Sequence, residues 1–139
     1  MGLNMTVRKI HHINFIVKDL NSAILRYKAI LGGNDFIRDE LPGRGVITAR
    51  TEVGEQWIVL VQPTEVNSIP GRFLKENGEG FFLMSLEVSD IHGTIDELTK
   101  EGILPTSSLD RKGLLNWWVR DLKMDKTFGA QIQLCEERD

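Results

Sequence analysis

A single cysteine, Cys135, stands in the whole chain, so no disulfide can close within it, and a reducing cytoplasm is the expected location. Long hydrophobic runs are missing as well. No window approaches the roughly 18 uncharged apolar residues that a membrane span needs, so no membrane partner is expected. The first residues, MGLNMTVRK, lack the apolar stretch and small-residue cleavage site of a secretory signal. Gly2 and Thr6 fit the myristoylation pattern, which is short enough for chance to produce it readily. Neither sign of charge dominates: 17 Lys and Arg stand against 20 Asp and Glu, for a formal net charge of −3. The basic residues are scattered rather than gathered in a stripe, which argues against a nucleic-acid partner. What is present is ordinary for a globular protein: 139 residues, 41% of them hydrophobic and 27% charged. That length suits one compact domain, or two small fused modules, burying about two-thirds of its unfolded surface.

The hydrophobic pattern is written twice. KIHHINFIV (9–17) alternates as a strand, with His12, Asn14 and Ile16 on one face and Ile13, Phe15 and Val17 on the other. KDLNSAILRYKAILGG then changes to helical period: Leu20, Ala23, Ile24, Tyr27, Ile30 and Leu31 form a stripe, and Gly32 and Gly33 stop it. Strands are expected around 34–39, 45–52 and 56–62, broken at PGRG and VGEQ. A Pro- and Gly-containing connector (64–79) holds a short helical piece near GRFLKEN. The pattern restarts with FFLMSLEV as a strand. A helix capped by Ser89 or Asp90 and stopped by Gly102 follows, with Ile91, Ile95 and Leu98 as its stripe. Strands near 103–107, 114–121 and 130–136 complete the second half. INFIVKDLNSAI also matches MSLEVSDIHGTI, and IVLVQ matches IQLCE. The expectation is a single α+β domain over 1–139, made of two βαβββ modules at about 9–63 and 80–136.

This repeat resembles the vicinal oxygen chelate superfamily of glyoxalase I, extradiol dioxygenases, bleomycin-resistance proteins and methylmalonyl-CoA epimerase. The residues that carry the resemblance are HHINFIVKDL, LPGRGV, IVLVQPTE, GRFLKENGEGFFLMSLEVSDI and GAQIQL, spanning about 9–136. The frame is most similar to the epimerase branch. The resemblance implies an eight-stranded open half-barrel, commonly a homodimer. It also implies a divalent metal held from the first and last strand of each module, stabilising an enolate-like intermediate. Carried onto this sequence, the metal positions are His12, Val59, Leu83 and Gln133, and the proton-transfer base of the epimerases falls at Thr48.

Val59 and Leu83 have no donor atom, and Gln133 offers a carbonyl oxygen without charge. A divalent cation on His12 and Gln133 alone would be poorly compensated. Thr48 and Gln133 do not titrate near neutrality, so epimerase and glyoxalase I chemistry are both unexpected here. His11 has the opposite parity to His12, as does Gln62 to Val59. Glu136 lies three residues beyond Gln133, and Glu87 lies roughly 13 Å along the strand from Leu83. No simple register shift restores the site, and no cofactor is expected.

The candidate ligand pocket is therefore His12, Asn14, Thr48, Arg50, Trp57, Val59, Leu83, Ser85, Gln131 and Gln133. His12 reads as a cavity histidine bonded to Gln133 or water. His11 is expected against the helix or a dimer surface, and His92 in solvent. Cys135 reads as a small buried residue rather than a nucleophile. Trp57 should face the cavity, and of Trp117 and Trp118 one should face in and the other out. These tryptophans serve equally as core or as an aromatic wall. Arg50, and Arg120 near a pocket mouth, suit a carboxylate or phosphate, or plain solvent. Three functions follow: a metal-independent small-molecule binder, a divergent isomerase or lyase acting on a carbonyl or acyl-CoA compound, or a protein-contact domain with a vestigial cavity.

Overall fold

A computed structural model describes residues 7–139, and the Gly2 and Thr6 pattern lies outside the described residues. The chain divides into two compact units. The N-terminal unit is His12–Phe82; the C-terminal unit joins Met1–His11 to Leu83–Asp139. The cut falls inside two strands, β1 (Lys9–Ile16) and β5 (Gly80–Glu87).

In the N-terminal unit, β1 leads through α1 (Leu20–Ile30) to β2 (Ile37–Leu41), β3 (Val46–Val53) and β4 (Gln56–Pro63), followed by α2 (Ile69–Asn77). The strands run in the order β2, β3, β4, β1; β1 and β4 are parallel and the other pairs antiparallel. Val17, Leu20, Ala49 and Leu60 form a core, with Phe15, Ala23, Ile24 and Tyr27 packed against it. The expected alternation therefore holds, with Phe15 and Val17 against the helix and His12 and Asn14 on the other face. Helix α2 is longer than the expected fragment. Ser68 caps it through a 3.0 Å bond from the Gly71 amide, and a Cβ on Gly71 would lie 2.1 Å from the Glu65 carbonyl oxygen.

The C-terminal unit repeats the plan. From β5 the chain passes through α3 (Ile91–Lys100) to β6 (Arg111–Lys112), β7 (Trp117–Asp121), a 3-10 turn (Met124–Lys126) and β8 (Ile132–Glu137). The strand order is β5, β8, β7, β6. Val88, Ile91, Ile95, Leu122 and Leu134 make the core, with Leu98, Ile103 and Ile132 against it. The expected strand at 103–107 is absent; only a single bridge joins Pro105 to Leu122. Pro105 has no N–H to give, and the Ser107 hydroxyl accepts from the Leu109 amide to make a local turn instead. The pairing role passes to β6. Strand β7 begins at Trp117 rather than 114, because Leu115 takes a positive φ of 48° and Trp117 N closes a turn onto the Leu114 carbonyl.

The repeat extends to the locks between helix and sheet. Gln62 Oε1 of β4 accepts from the Leu20 amide at 2.7 Å, and Glu136 Oε1 of β8 accepts from the Ile91 amide at 2.9 Å. These are the two positions that IVLVQ and IQLCE place in correspondence. Each satisfies an amide that the first turn of a helix leaves open.

Candidate functional site

The face of the N-terminal sheet away from α1 is set by register. His12 lies beside Trp57, Asn14 beside Val59, Val59 beside Arg50, and Val61 beside Thr48. This gathers His12, Asn14, Thr48, Arg50, Trp57 and Val59 on one face, as the alternation predicts. His12, Thr48, Arg50 and Val59 are all buried. Arg50 is already committed: its Nη1 donates to the Asp39 carboxylate, and its guanidinium lies 5.4 Å from the Trp57 ring centroid. Thr48 Oγ1 donates to the Asp39 carbonyl at 3.4 Å. The buried Asn14 Oδ1 has no hydrogen-bond partner.

On the C-terminal sheet, Ser85 lies beside Gln133 and Glu87 beside Cys135, while Val119 and Asp121 continue the row on β7. Leu83, Ser85 and Gln133 are buried here, and Gln131 is half-buried on the same parity. Gln133 Nε2 donates to Asp121 Oδ1 at 2.9 Å, and Asp121 in turn receives Arg111 at 3.0 Å. Gln133 Oε1 is buried and has no partner. Of the adjacent tryptophans, Trp117 shares this face and Trp118 takes the other, under the Arg138 guanidinium at 5.3 Å. Cys135 is fully buried. Burial, reinforced by the Glu137 and Glu87 carboxylates, pushes its thiol up to about 12, so it is no nucleophile at neutral pH.

Two placements differ from the sequence reading. Arg120 pairs in register with the core residue Leu134, so it lies on the helix face, not at a pocket mouth. It donates to Asp110 at 3.2 Å and to the Ser108 carbonyl at 3.1 Å. His11 is not turned toward a helix. It is 1% exposed, its Nε2 is 2.6 Å from Glu137 Oε2, and its ring meets Trp117 edge-on at 4.6 Å. His92 is exposed as expected, 3.1 Å from Asp110.

The divalent metal that the resemblance implies does not fit its own positions. Val59 and Leu83 present hydrocarbon, each buried against neighbours, and the amide nitrogen of Gln133 is held by Asp121. A different group of donors does converge. A ring nitrogen of His11 and carboxylate oxygens of Glu87 and Glu137 lie within 4.8 Å of one another. Sequence reasoning passed over Glu137. The signal was there: Glu137 follows Gln133, and Glu87 follows Leu83, by the same four residues and on the same strand face. Beside this group opens a cleft of about 220 Å³ lined by Arg8, Glu87, Val88, Ser89, Glu136 and Glu137. The N-terminal unit has its own open cleft of about 560 Å³ at the start of α1, where Phe15, Lys18, Ala23, Arg26 and Tyr27 contribute. No helix among the described residues is long and apolar enough to cross a membrane.

Comparison with known proteins agrees with this architecture. Methylmalonyl-CoA epimerase from Mycobacterium tuberculosis superposes with a TM-score of 0.88 at 24% identity, covering 96% of this chain and 90% of that one. A hypothetical protein from Bacillus halodurans C-125 gives 0.88 at 25% identity, over 94% and 95%. A methylmalonyl-CoA epimerase solved with methylmalonyl-CoA and an ammonium ion gives 0.88 at 21%, over 95% and 96%. No curated protein matches the sequence. Residues 11–119 match the Glyoxalase/Bleomycin resistance protein/Dioxygenase superfamily, and with the paired βαβββ units already described this chain belongs to that family.

Proposed function

We propose that this protein binds a small molecule against the sheet face of its N-terminal unit that carries His12, Asn14, Trp57 and Val59, without a metal at the family positions His12, Val59, Leu83 and Gln133. The observation that carries the reading is the pair of buried hydrocarbon side chains at Val59 and Leu83, where the family frame calls for donors. Thr48, at the position of the proton-transfer base, has its hydroxyl directed to the Asp39 carbonyl. That arrangement supports binding over proton abstraction next to a carbonyl. The ligand class is an apolar or planar compound with a hydrogen-bonding group. Trp57 and Val59 supply apolar and aromatic surface, and Asn14 Oδ1 is an unfilled acceptor. Arg50 is compensated by Asp39, which weakens the case for an anionic ligand. The protein acts as a cytoplasmic homodimer in this reading, and needs no cofactor at the family positions.

A second reading, a divergent isomerase or lyase acting on a carbonyl or acyl-CoA compound, is favoured by the likeness to methylmalonyl-CoA epimerases. His12 would be its acid–base group. Deuterium exchange at C2 of methylmalonyl-CoA, followed by NMR, separates the two. No exchange above the uncatalysed rate is expected. Exchange that disappears in a folded His12→Ala variant would establish the enzyme. Native mass spectrometry of freshly purified protein should show a retained organic mass that Trp57→Ala weakens; an empty protein that ignores this substitution would count against binding.

A further inference from the structure

We propose that His11, Glu87 and Glu137 form a site for a divalent transition-metal ion at one end of the C-terminal sheet. The inference stands apart from the proposed ligand site, since it uses none of the four family positions.

The donors are one imidazole nitrogen and two carboxylates, all within 4.8 Å of one another. Bonds of about 2.0–2.2 Å from one ion put its ligand atoms roughly 3–3.5 Å apart. Side-chain rotation covers that difference. Each donor is placed by its element. Glu87 ends β5 and Glu137 ends β8, and the register of Glu87 beside Cys135 puts both carboxylates on the same face. His11 is the fixed member: it is 1% exposed, and Trp117 stands edge-on to its ring at an interplanar angle of 86°. Glu137 is the adaptable member, with its side chain 44% exposed. The neighbouring cleft, with Arg8, Ser89 and Glu136 in its lining, gives an ion and its water a way in. A rigid buried imidazole, two carboxylates and an open side make a site that holds an ion and leaves coordination positions free.

The plainer account is a hydrogen bond between His11 and Glu137 at 2.6 Å. That account pairs only one of the two carboxylates, with Arg8 in the cleft lining as the other cation near them, whereas a dication bound between them offsets both. In the metal-bound state the ion replaces that hydrogen bond, and the imidazole binds it in its neutral form. Imidazole with carboxylate suits zinc, cobalt, nickel or manganese better than calcium or copper(I). The donors missing at Leu83 and Gln133 thus recur together at Glu87 and Glu137, displaced along both strands by the same step, about 13 Å.

The test uses the full chain, stripped with EDTA and titrated with zinc by calorimetry. One ion per chain is expected. Glu87→Gln and Glu137→Gln should each weaken binding at least about tenfold, with unchanged circular dichroism, because both side chains reach solvent. His92→Gln, at an exposed position of α3, should leave zinc affinity within about twofold. Copper(II) should quench tryptophan emission through Trp117, and Glu137→Gln should remove the quenching. Absence of zinc binding by the parent chain overturns the proposal, as does binding that both Glu→Gln variants retain. Zinc binding lost in His12→Gln but kept in both Glu→Gln variants overturns this site. Zinc held at Glu87 and Glu137, with none at the four family positions, leaves both proposals standing.

Discussion

Gln133 shows how a single atom decides chemistry at the residue scale. Its amide nitrogen donates to Asp121, so a carboxylate cannot replace it freely. Gln133→Glu would set two anions together at a buried position. A loss of about 1–3 kcal/mol is expected at pH 8. The new carboxyl, pushed up by Asp121, should regain that stability when protonated, so melting curves at pH 5 and 8 should converge on the parent only at the lower value. Cys135 gives the opposite signature. Its folded thiol is pushed up from the ordinary 9.0 to about 12, first by burial. Its stabilising share is complete below pH 9 and declines as pH rises toward 12, where the unfolded thiol ionises and the folded one resists. Cys135→Ala should flatten that alkaline decline in urea titrations. Alternation alone placed His12, Asn14, Thr48, Trp57 and Val59 on one face. It did not reveal the partners of His11, Glu137 and Trp117, which belong with it to the C-terminal unit and are far away in sequence.

Elements were legible where hydrophobic period and stop signals agreed. Both main helices and the first, fourth, fifth and last strands lie within a few residues of expectation. The edge strand β6 was not legible: it is only Arg111–Lys112, two polar residues with no periodicity to read. Polar locks were equally invisible, since Gln62 and Glu136 carry no motif beyond their matched places in the repeat. Their weight can be measured. Gln62→Ala and Glu136→Ala should each cost about 1 kcal/mol in chemical denaturation, the usual range for losing a helix cap. Gly71 is a sharper case. Its missing Cβ leaves room for the Glu65 carbonyl, so Gly71→Ala should destabilise by about 1–3 kcal/mol through overpacking and distort the start of α2. An unchanged melting temperature would show that the segment preceding α2 yields without penalty.

For the molecule as a whole, the duplicated plan is what the sequence expressed most clearly. Chemistry was less legible, because the informative positions are substitutions within a preserved frame, and their meaning depends on what lies beside them. Light scattering in solution should return twice the chain mass of 15.8 kDa if the proposed homodimer holds. A monomer would remove that proposal without touching the fold. The two helix locks now differ in kind. Gln62 is an amide and indifferent to acid. Glu136 is a carboxylate: burial opposes its ionisation, but the hydrogen bonds from Arg138 and the Ile91 amide outweigh it and hold its carboxyl below the ordinary value. Its stabilising share is present above the unfolded value and is lost as pH falls through the folded one. The two halves of one duplication have therefore acquired unequal tolerance of acid. On acidification the Ile91 amide should open to hydrogen exchange before that of Leu20, and the second copy should loosen while the first still holds.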